Sequence, residues 1–254
     1  MRKKRFIYTL AAVLLMCSAA GVGAGCGKSS PALLDSFGTH LDTLMTSKDK
    51  LSKMDGAAAD LCVIENEDEF SENDIEAPAG ALFNITDQKT LYSKNANDER
   101  EIASITKIMT ALLAMKYADL SQEVTISYTP EGLESSAVLC GFEQGDKMML
   151  SSLLSAALIY SGNDAAIDIA IAVAGSQEAF VDMMNQESKE LMTSHTHFAN
   201  PTGLTQSKHY SSVYDVYLMF QECLKYPTFR DIIACGSFLC YYTNAAGENV
   251  TKNF

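Results

Sequence analysis

The sequence is short of basic residues, and this shortage limits what the protein can bind. It holds 19 Lys and Arg against 32 Asp and Glu in 254 residues, a formal net charge of −13 at pH 7. Because such a field repels polyanions, nucleic acid is not an expected partner. The sequence also has no internal repeat, collagen-like pattern or heptad pattern. A chain that is 47% hydrophobic and 20% charged is therefore expected to be globular.

The sequence also has no Cys-x-x-Cys pair and no Cys and His set at ligand spacing, which argues against zinc. His195 and His197 have no carboxylate or third histidine at ligand spacing, so we interpret them as part of a surface turn. We therefore expect neither a metal nor another cofactor. Five cysteines follow residue 26, namely Cys62, Cys140, Cys223, Cys235 and Cys240. Since five is odd, at least one would stay free or pair between chains, and the sequence does not define the pairing.

Residues 1–25 are interpreted as an export signal, because a basic cluster precedes an apolar run over residues 6–20 and small residues follow. An uncleaved membrane anchor is the alternative, although the small residues favour cleavage. The stretch Gly23-Ala-Gly-Cys26 resembles a bacterial lipobox, though Gly23 stands where leucine is usual. Ordinary cleavage and lipid attachment at Cys26 both remain open. Export to the bacterial cell envelope is expected in either case.

A tether and acidic spacer are expected over residues 26–77, followed by a folded region over residues 78–254. Seven acidic residues lie in the stretch 65–76. We interpret that stretch as a solvated loop, because it lacks the glycine-turn ligand spacing of a calcium site.

Hydrophobic periodicity predicts a hairpin followed by several helices. The hairpin strands are expected at residues 81–85 and 90–93, with a further short strand at 124–126. Helices are expected over residues 104–117, 150–160, 164–174, 177–192 and 212–226. Ser176 and Ser212 are predicted N-caps, Asp164 fits the first turn of its helix, and Pro227 is predicted to close the last helix. Residues Asn200-Pro-Thr-Gly203 are predicted to form a tight turn.

Ser104 and Lys107 form a Ser-x-x-Lys pattern at the start of one predicted helix. Positions i and i+3 share a helical face, so the amine can reach the hydroxyl. Serine needs a base to act as a nucleophile, and a desolvated lysine can lose its proton and become one. A serine cap beside an exposed lysine is the alternative, which a short motif does not exclude. The apolar residues around Lys107 favour a buried amine.

A polar triplet, Ser161-Gly-Asn163, interrupts two apolar helices. Such a triplet must either satisfy local backbone groups or face a cleft. If it faces Ser104, its hydroxyl can relay protons and its carboxamide can hold a substrate amide.

Four stretches, in this order and spacing, resemble the D-alanyl-D-alanine carboxypeptidases, the low-molecular-mass penicillin-binding proteins. They are Ile102-Ala-Ser-Ile-Thr-Lys-Ile-Met-Thr110, Tyr160-Ser-Gly-Asn-Asp-Ala-Ala166, His197-Phe-Ala-Asn-Pro-Thr-Gly-Leu204 and His209-Tyr-Ser-Ser212. The resemblance covers about residues 79–229. It implies an α/β (α+β) penicillin-binding and beta-lactamase-like transpeptidase fold, with a helical lobe packed against an antiparallel sheet that is only partly encoded here.

The resemblance also implies roles for four side chains. Ser104 would be the acylated nucleophile and Lys107 its general base. Ser161 would pass a proton to the leaving group, and Asn163 would bind the peptide carbonyl of the substrate. The implied reaction removes the terminal D-alanine from a peptidoglycan stem peptide, through an acyl-enzyme that water hydrolyses. Beta-lactams are implied inhibitors of the same serine.

The third motif of that family, Lys-Thr-Gly, is absent, and Lys252 is not expected to replace its lysine. We therefore expect the chain to be truncated before this motif and poorly active alone. A class A-like beta-lactamase is one alternative, disfavoured because the second motif is Ser-Gly-Asn rather than Ser-Asp-Asn. A catalytically silent envelope-binding lipoprotein is the other, favoured by the missing motif and the acidic spacer.

Overall fold

The computed structural model describes residues 61–64, 75–128 and 133–254. The chain falls into two compact units, one ending at Ala96 and the other running Asn97–Phe254. The predicted leader, Cys26 and most of the acidic spacer lie outside the described residues. What the sequence predicts for them stays a prediction.

The first unit contains the predicted hairpin. Strands β1 (Gly80–Asn84) and β2 (Lys89–Lys94) pair antiparallel, and the register shifts between Leu82 and Phe83. The side-chain oxygen of Asn84 accepts hydrogen bonds from the backbone N–H groups of Thr86 and Asp87, which stabilises the turn. The hairpin is therefore confirmed, with each strand end one residue away from the predicted one.

The second unit is mainly helical, and a 3₁₀ turn (Ala103–Thr106) precedes its first α-helix. The helices are α1 (Lys107–Tyr117), α2 (Leu150–Ile159), α3 (Asn163–Ala174), α4 (Gln177–Glu190), α5 (Val213–Cys223) and α6 (Pro227–Ile233). Helix α1 lies at the centre and contacts α2, α3, α4 and α5. Its sequence is apolar almost all round, as expected of a helix enclosed by others.

The predicted caps are confirmed, and one predicted helix end is wrong. Ser176 Oγ accepts a hydrogen bond from the Ala179 N–H, and Ser212 Oγ accepts one from the Asp215 N–H. Pro227 does not close α5 but begins α6, since a proline has no N–H to lose in the first turn of a helix.

A four-stranded antiparallel sheet borders the helices. Its strands are β3 (Glu123–Thr125), β4 (Lys147–Met149), β5 (Leu239–Thr243) and β6 (Asn249–Asn253), paired in that order. The sequence predicted β3, and for Tyr241 and Tyr242 of β5 it left strand and loop open. Strand β4 is too short to show alternation, and β5 and β6 have mixed polarity.

One continuous core joins helices and sheet. Its fully buried large side chains include Met109, Leu112, Leu113, Leu153, Leu154, Ile169, Phe180, Phe198 and Phe229. No disulfide joins any of the five cysteines in the described part of the chain. Over the same residues, no helix combines the length and the apolar character needed to cross a bilayer.

Candidate active site

The structure places the Ser104 hydroxyl beside the Lys107 amine, directly over the core. Ser104 lies in the 3₁₀ turn and Lys107 begins α1, so the two positions three apart face the same side. Lys107 Nζ lies 3.1 Å from Ser104 Oγ. The Lys107 side chain is buried, with 2% of the residue exposed. The predicted i, i+3 contact is therefore present, but in a 3₁₀ turn rather than in an α-helix.

Two further oxygens fix the Lys107 amine. Nζ donates to Asn163 Oδ1 and to the carbonyl of Thr202, each at 2.9 Å. Neither acceptor carries a proton, so a neutral amine would use its two N–H bonds here and direct its lone pair towards Ser104. Burial lowers the pKa of Lys107 to about 8, although Cys140 and Asp164 oppose this shift. About one tenth of the amine is therefore free at pH 7 and about half at pH 8.

Ser161 completes a chain of hydroxyl groups. It lies between α2 and α3 with a φ of +64°, a left-handed conformation that is costly for serine. This backbone directs Ser161 Oγ to Ser104 Oγ, to which it donates at 2.8 Å. A strained non-glycine residue at this corner is typical of a functional site, where surrounding structure holds the unfavourable conformation.

Asn163 is the first residue of α3, and its carboxamide is held from both ends. Oδ1 accepts from Lys107, while Nδ2 donates to the Val138 carbonyl at 3.1 Å. The second Nδ2 hydrogen is then available to a substrate carbonyl. Gly162, between Ser161 and Asn163, lies so close to Cys140 that a Cβ there would overlap the sulfur. Glycine is thus required in the triplet.

The turn over residues 199–203 carries the Thr202 carbonyl that binds Lys107. Asn200 Oδ1 accepts from the N–H groups of Thr202 and Gly203 at 3.1 and 2.7 Å, and Thr110 Oγ1 donates to the Pro201 carbonyl at 2.7 Å. Gly203 has a φ of +85°, and a Cβ there would overlap the Ala103 carbonyl. This turn therefore packs closely against the 3₁₀ turn that contains Ser104.

His209 joins these two turns from inside the protein. Its Nδ1 accepts from the Ala199 N–H at 3.0 Å, so its Nε2 carries the proton and donates to Thr106 Oγ1 at 2.8 Å. Burial lowers the pKa of His209 to about 4. The ring is neutral near pH 7 and serves as a structural bridge between the two turns.

The loop over residues 138–142 lies on the other side of Asn163. Asp164 accepts from the N–H groups of Cys140 and Gly141, each at 2.8 Å, and from that of Phe142 at 3.4 Å. The predicted position of Asp164 in the first turn of its helix is confirmed. The hydrogen bonds from this loop to Asp164 were not predicted, because their donors are backbone N–H groups, which a pattern of side chains does not indicate.

The structure brings together all four predicted site residues, Ser104, Lys107, Ser161 and Asn163. Sequence reasoning missed the Thr202 carbonyl and the loop over residues 138–142. The Asn200-Pro-Thr-Gly203 turn was recognised, yet nothing in its side chains indicates that a backbone oxygen binds the lysine. No group of three or more metal-ligating side chains occurs in residues 61–64, 75–128 and 133–254.

Comparisons with known proteins agree with this geometry. A family model described as D-alanyl-D-alanine carboxypeptidase matches residues 66–234. D-alanyl-D-alanine carboxypeptidase DacF of Bacillus subtilis strain 168 is 38% identical over 184 residues, which cover 70% of this chain and 45% of DacF. D-alanyl-D-alanine carboxypeptidase of Streptomyces sp. strain K15 is 31% identical over 184 residues, covering 68% of this chain and 63% of that protein.

A solved structure extends the likeness to the fold. The crystal structure of the Streptomyces K15 DD-transpeptidase matches with a TM-score of 0.66 at 27% identity, covering 70% of this chain and 72% of that one. The predicted transpeptidase-type α/β fold is thereby confirmed. The chain spans less than half of DacF and less than two thirds of the curated K15 protein.

Proposed function

This chain belongs to the D-alanyl-D-alanine carboxypeptidase family, and we propose that it is a serine-type carboxypeptidase that removes the terminal D-alanine from peptidoglycan stem peptides. The observation that carries the proposal is the buried Lys107 amine, 3.1 Å from Ser104 and held by two proton-free acceptors. Burial of a lysine amine costs solvation free energy, and a purely structural lysine beside a serine hydroxyl would gain nothing that offsets this cost. The substrate would be a stem peptide that ends in D-Ala-D-Ala.

In the acylation step, Ser104 Oγ attacks the carbonyl carbon of the penultimate D-alanine. The hydroxyl proton passes to the neutral Lys107 amine, and a tetrahedral oxyanion forms. Asn163 Nδ2 donates to a peptide carbonyl of the substrate, which places the scissile bond against Ser104. The reaction needs no cofactor, since each proton has a side chain to receive it.

Departure of D-alanine requires a proton on its nitrogen. Ser161 Oγ lies 2.8 Å from Ser104 Oγ, so it can hand its proton to the leaving amine and be reprotonated from the Lys107 ammonium. The C–N bond breaks and the acyl group stays on Ser104. Water then attacks the ester carbonyl and gives a proton to Lys107. The bond between the acyl carbon and Ser104 Oγ breaks, Lys107 returns the proton to Ser104 Oγ, and the shortened peptide leaves.

Beta-lactams would act on the same serine. Their strained amide resembles the scissile bond, and attack by Ser104 opens the ring to leave an acyl-enzyme. Ring opening keeps the leaving nitrogen tethered in the site, which hinders the water that would release the acyl group. The protein is accordingly proposed to be a penicillin-binding protein that beta-lactams inhibit.

The proposed setting is the cell envelope, where the peptidoglycan substrate lies. Export rests on the leader-like sequence of residues 1–25, and membrane attachment rests on the lipobox-like residues ending at Cys26. In this arrangement residues 26–77 form the tether and spacer, and residues 78–254 belong to the catalytic domain. Mass spectrometry of the mature N-terminus would identify a lipid on Cys26 or cleavage without one.

Fluorescent penicillin labelling of the complete gene product that contains these residues tests the activity. We expect covalent labelling that Ser104→Ala abolishes and that Ser207→Ala, at an exposed loop serine, leaves unchanged. Release of D-alanine from a D-Ala-D-Ala peptide should follow the same pattern. Fast hydrolysis of nitrocefin would instead identify a beta-lactamase, and absence of labelling would identify a silent binding protein.

A further inference from the structure

We propose that Lys252 is a positioning residue for the second motif, acting through the loop over residues 138–142 to hold Asn163 in place. This inference rests on the proposed function, because it assigns Lys252 a role in the same reaction. Lys252 lies on β6, a strand that the sequence did not predict. It is separated from Asn163 by 89 positions along the chain (252 minus 163), so only the fold brings the two regions together.

The Lys252 ammonium is fixed on the carbonyl side of the loop. Nζ donates to the Cys140 carbonyl. It also lies 6.0 Å from the ring centroid of Phe142 and 5.5 Å from that of Phe254, within cation–π range of both aromatic faces. The carbonyl and the two rings together hold the ammonium in a defined position beneath the loop.

The opposite side of the same loop is held by a negative charge. Asp164 accepts from the N–H groups of Cys140 and Gly141, while Lys252 binds the Cys140 carbonyl. A Cβ on Gly141 would lie 3.3 Å from Lys252 Nζ, which shows how closely the ammonium approaches the backbone. The Asp164 carboxylate thus binds backbone N–H groups of this loop, and the Lys252 ammonium binds one of its carbonyl groups.

This loop in turn holds Asn163. The Val138 carbonyl accepts from the Asn163 backbone N–H at 2.9 Å and from Nδ2 at 3.1 Å. A shift of the loop therefore moves the acceptor that sets the rotation of the carboxamide. Asn163 Oδ1 also binds the Lys107 amine, so the same shift would disturb the base.

A second route leads from Lys252 to the other end of the motif. The Phe254 ring lies 4.9 Å from the Tyr160 ring, centroid to centroid, and Tyr160 directly precedes Ser161. Phe254 also packs on Phe142 at 5.8 Å. The end of β6 therefore contacts elements on both sides of the Ser161–Asn163 corner, through the Cys140 loop and through Tyr160.

Substitutions at Lys252 separate the effect of its positively charged donor from the effect of its side-chain volume. Lys252→Met keeps the length and apolar stem but cannot donate to the Cys140 carbonyl. Lys252→Arg restores a donor and can stack on the aromatic rings. We expect Lys252→Met to lower the second-order rate constant of acylation about tenfold, and Lys252→Arg to recover it to within about threefold of the parent. Lys147→Met, at an exposed position of the same sheet, is the matched control and should change nothing.

A double-mutant cycle with Asn163 tests the positioning role in the complete gene product. If Lys252 acts mainly through Asn163, most of the effect of Lys252→Met should disappear once Asn163→Ala is present, and only the part that passes through Tyr160 should remain. The acylation rate is measured per folded molecule, with near-UV circular dichroism to show that each variant keeps its tertiary packing. Should Lys252→Met fail to fold, Lys252→Leu, which also lacks a donor, replaces it in the cycle.

The outcomes separate this inference from the proposed function. A parent protein with no Ser104-dependent labelling would overturn the proposed function, and the role of Lys252 would fall with it. A parent that is labelled, with Lys252 and Asn163 effects that multiply independently, would overturn the positioning role alone. Acylation of Lys252→Met at the parent rate would likewise overturn only the positioning role.

Discussion

Two sets of residues flank the Lys107 amine, here called its neutral support and its charged support, and they differ in whether charged side chains hold them together. The neutral support is the turn over residues 199–203 with Thr106, Thr110 and His209, joined by hydrogen bonds between uncharged groups. The charged support is the loop over residues 138–142 with Asp164 and Lys252. Each presents one oxygen to Lys107, the Thr202 carbonyl on the neutral side and, through Asn163, a carboxamide oxygen on the charged side.

This asymmetry is what the proposed role of Lys107 as a buried general base requires. Desolvation lowers the pKa of Lys107, while the negative charge of Asp164 raises it. Carboxylates on both sides would keep the amine protonated, whereas neutral groups alone would leave the loop more loosely held. With one neutral and one charged support, Lys107 has a pKa of about 8.

The largest effect is expected at Lys107, which receives an oxygen from each support. Lys107→Met should fill the same space but supply no base, so acylation of Ser104 should fall by at least about 10³-fold. Lys107→Arg should be equally inactive, since a guanidinium stays protonated. Both rates are measured with fluorescent penicillin, and Lys189→Met on the exposed face of α4 is the control. An active Lys107→Arg enzyme would remove the lysine from the mechanism.

The neutral support can be broken by a single methyl group. Gly203→Ala adds a Cβ that overlaps the Ala103 carbonyl at a φ of +85°, so we expect a loss of about 3 kcal/mol of unfolding free energy. Gly247→Ala has the same φ of +85° but nothing within 4 Å, and should lose only about 1 kcal/mol. Urea unfolding of both variants measures the difference. Equal losses would show that the close approach of the two turns contributes nothing.

Burial of Lys107 should set the pH dependence of acylation, and the charged support should shift it. Only the free amine accepts the proton, so the rate should rise about 50-fold between pH 6 and pH 8 and then level off. Asp164→Asn removes a charge that raises the pKa of Lys107, so the midpoint should move to lower pH. Asp182→Asn, at an exposed position on α4, should leave the midpoint in place. A midpoint that rises in Asp164→Asn would contradict this account.

The two supports also differ in how far the sequence predicted them. The motif residues Ser104, Lys107, Ser161 and Asn163 were identified because their types, their spacing and the family resemblance all fit the proposed chemistry. The neutral support was seen in part, since the Asn200-Pro-Thr-Gly203 turn has a strong local signal. The role of its Thr202 carbonyl was not, because every residue type offers a backbone oxygen.

The charged support was missed as a unit, since it depends on contacts between distant segments. Lys252 and Cys140 are 112 positions apart. The sequence of the strand that carries Lys252 does not clearly alternate apolar and polar residues. Helices α2 to α4 were predicted well because their caps and apolar spacing are local. Short strands β4 to β6 form through pairing with one another, which a single stretch of sequence cannot indicate.

The smallest effect concerns the titration of His209 in the neutral support. Its pKa is about 4 in the folded protein and about 6.5 when unfolded, so the unfolded chain binds the extra proton first as the pH falls. Stability contributed by the neutral ring is therefore present above pH 6.5 and is lost as the pH drops towards 4. Between pH 7 and pH 5 the loss from this residue should be about 2 kcal/mol.

His209→Gln should remove that part of the pH dependence while its amide still reaches Thr106. The unfolding free energy of the variant, measured in urea at pH 7 and pH 5, should therefore fall about 2 kcal/mol less than that of the parent. His195→Gln, a histidine outside the bridge between the two turns, should follow the parent at both pH values. If His209→Gln loses as much stability as the parent on acidification, His209 is not the titrating group, and the acid sensitivity arises elsewhere in the protein.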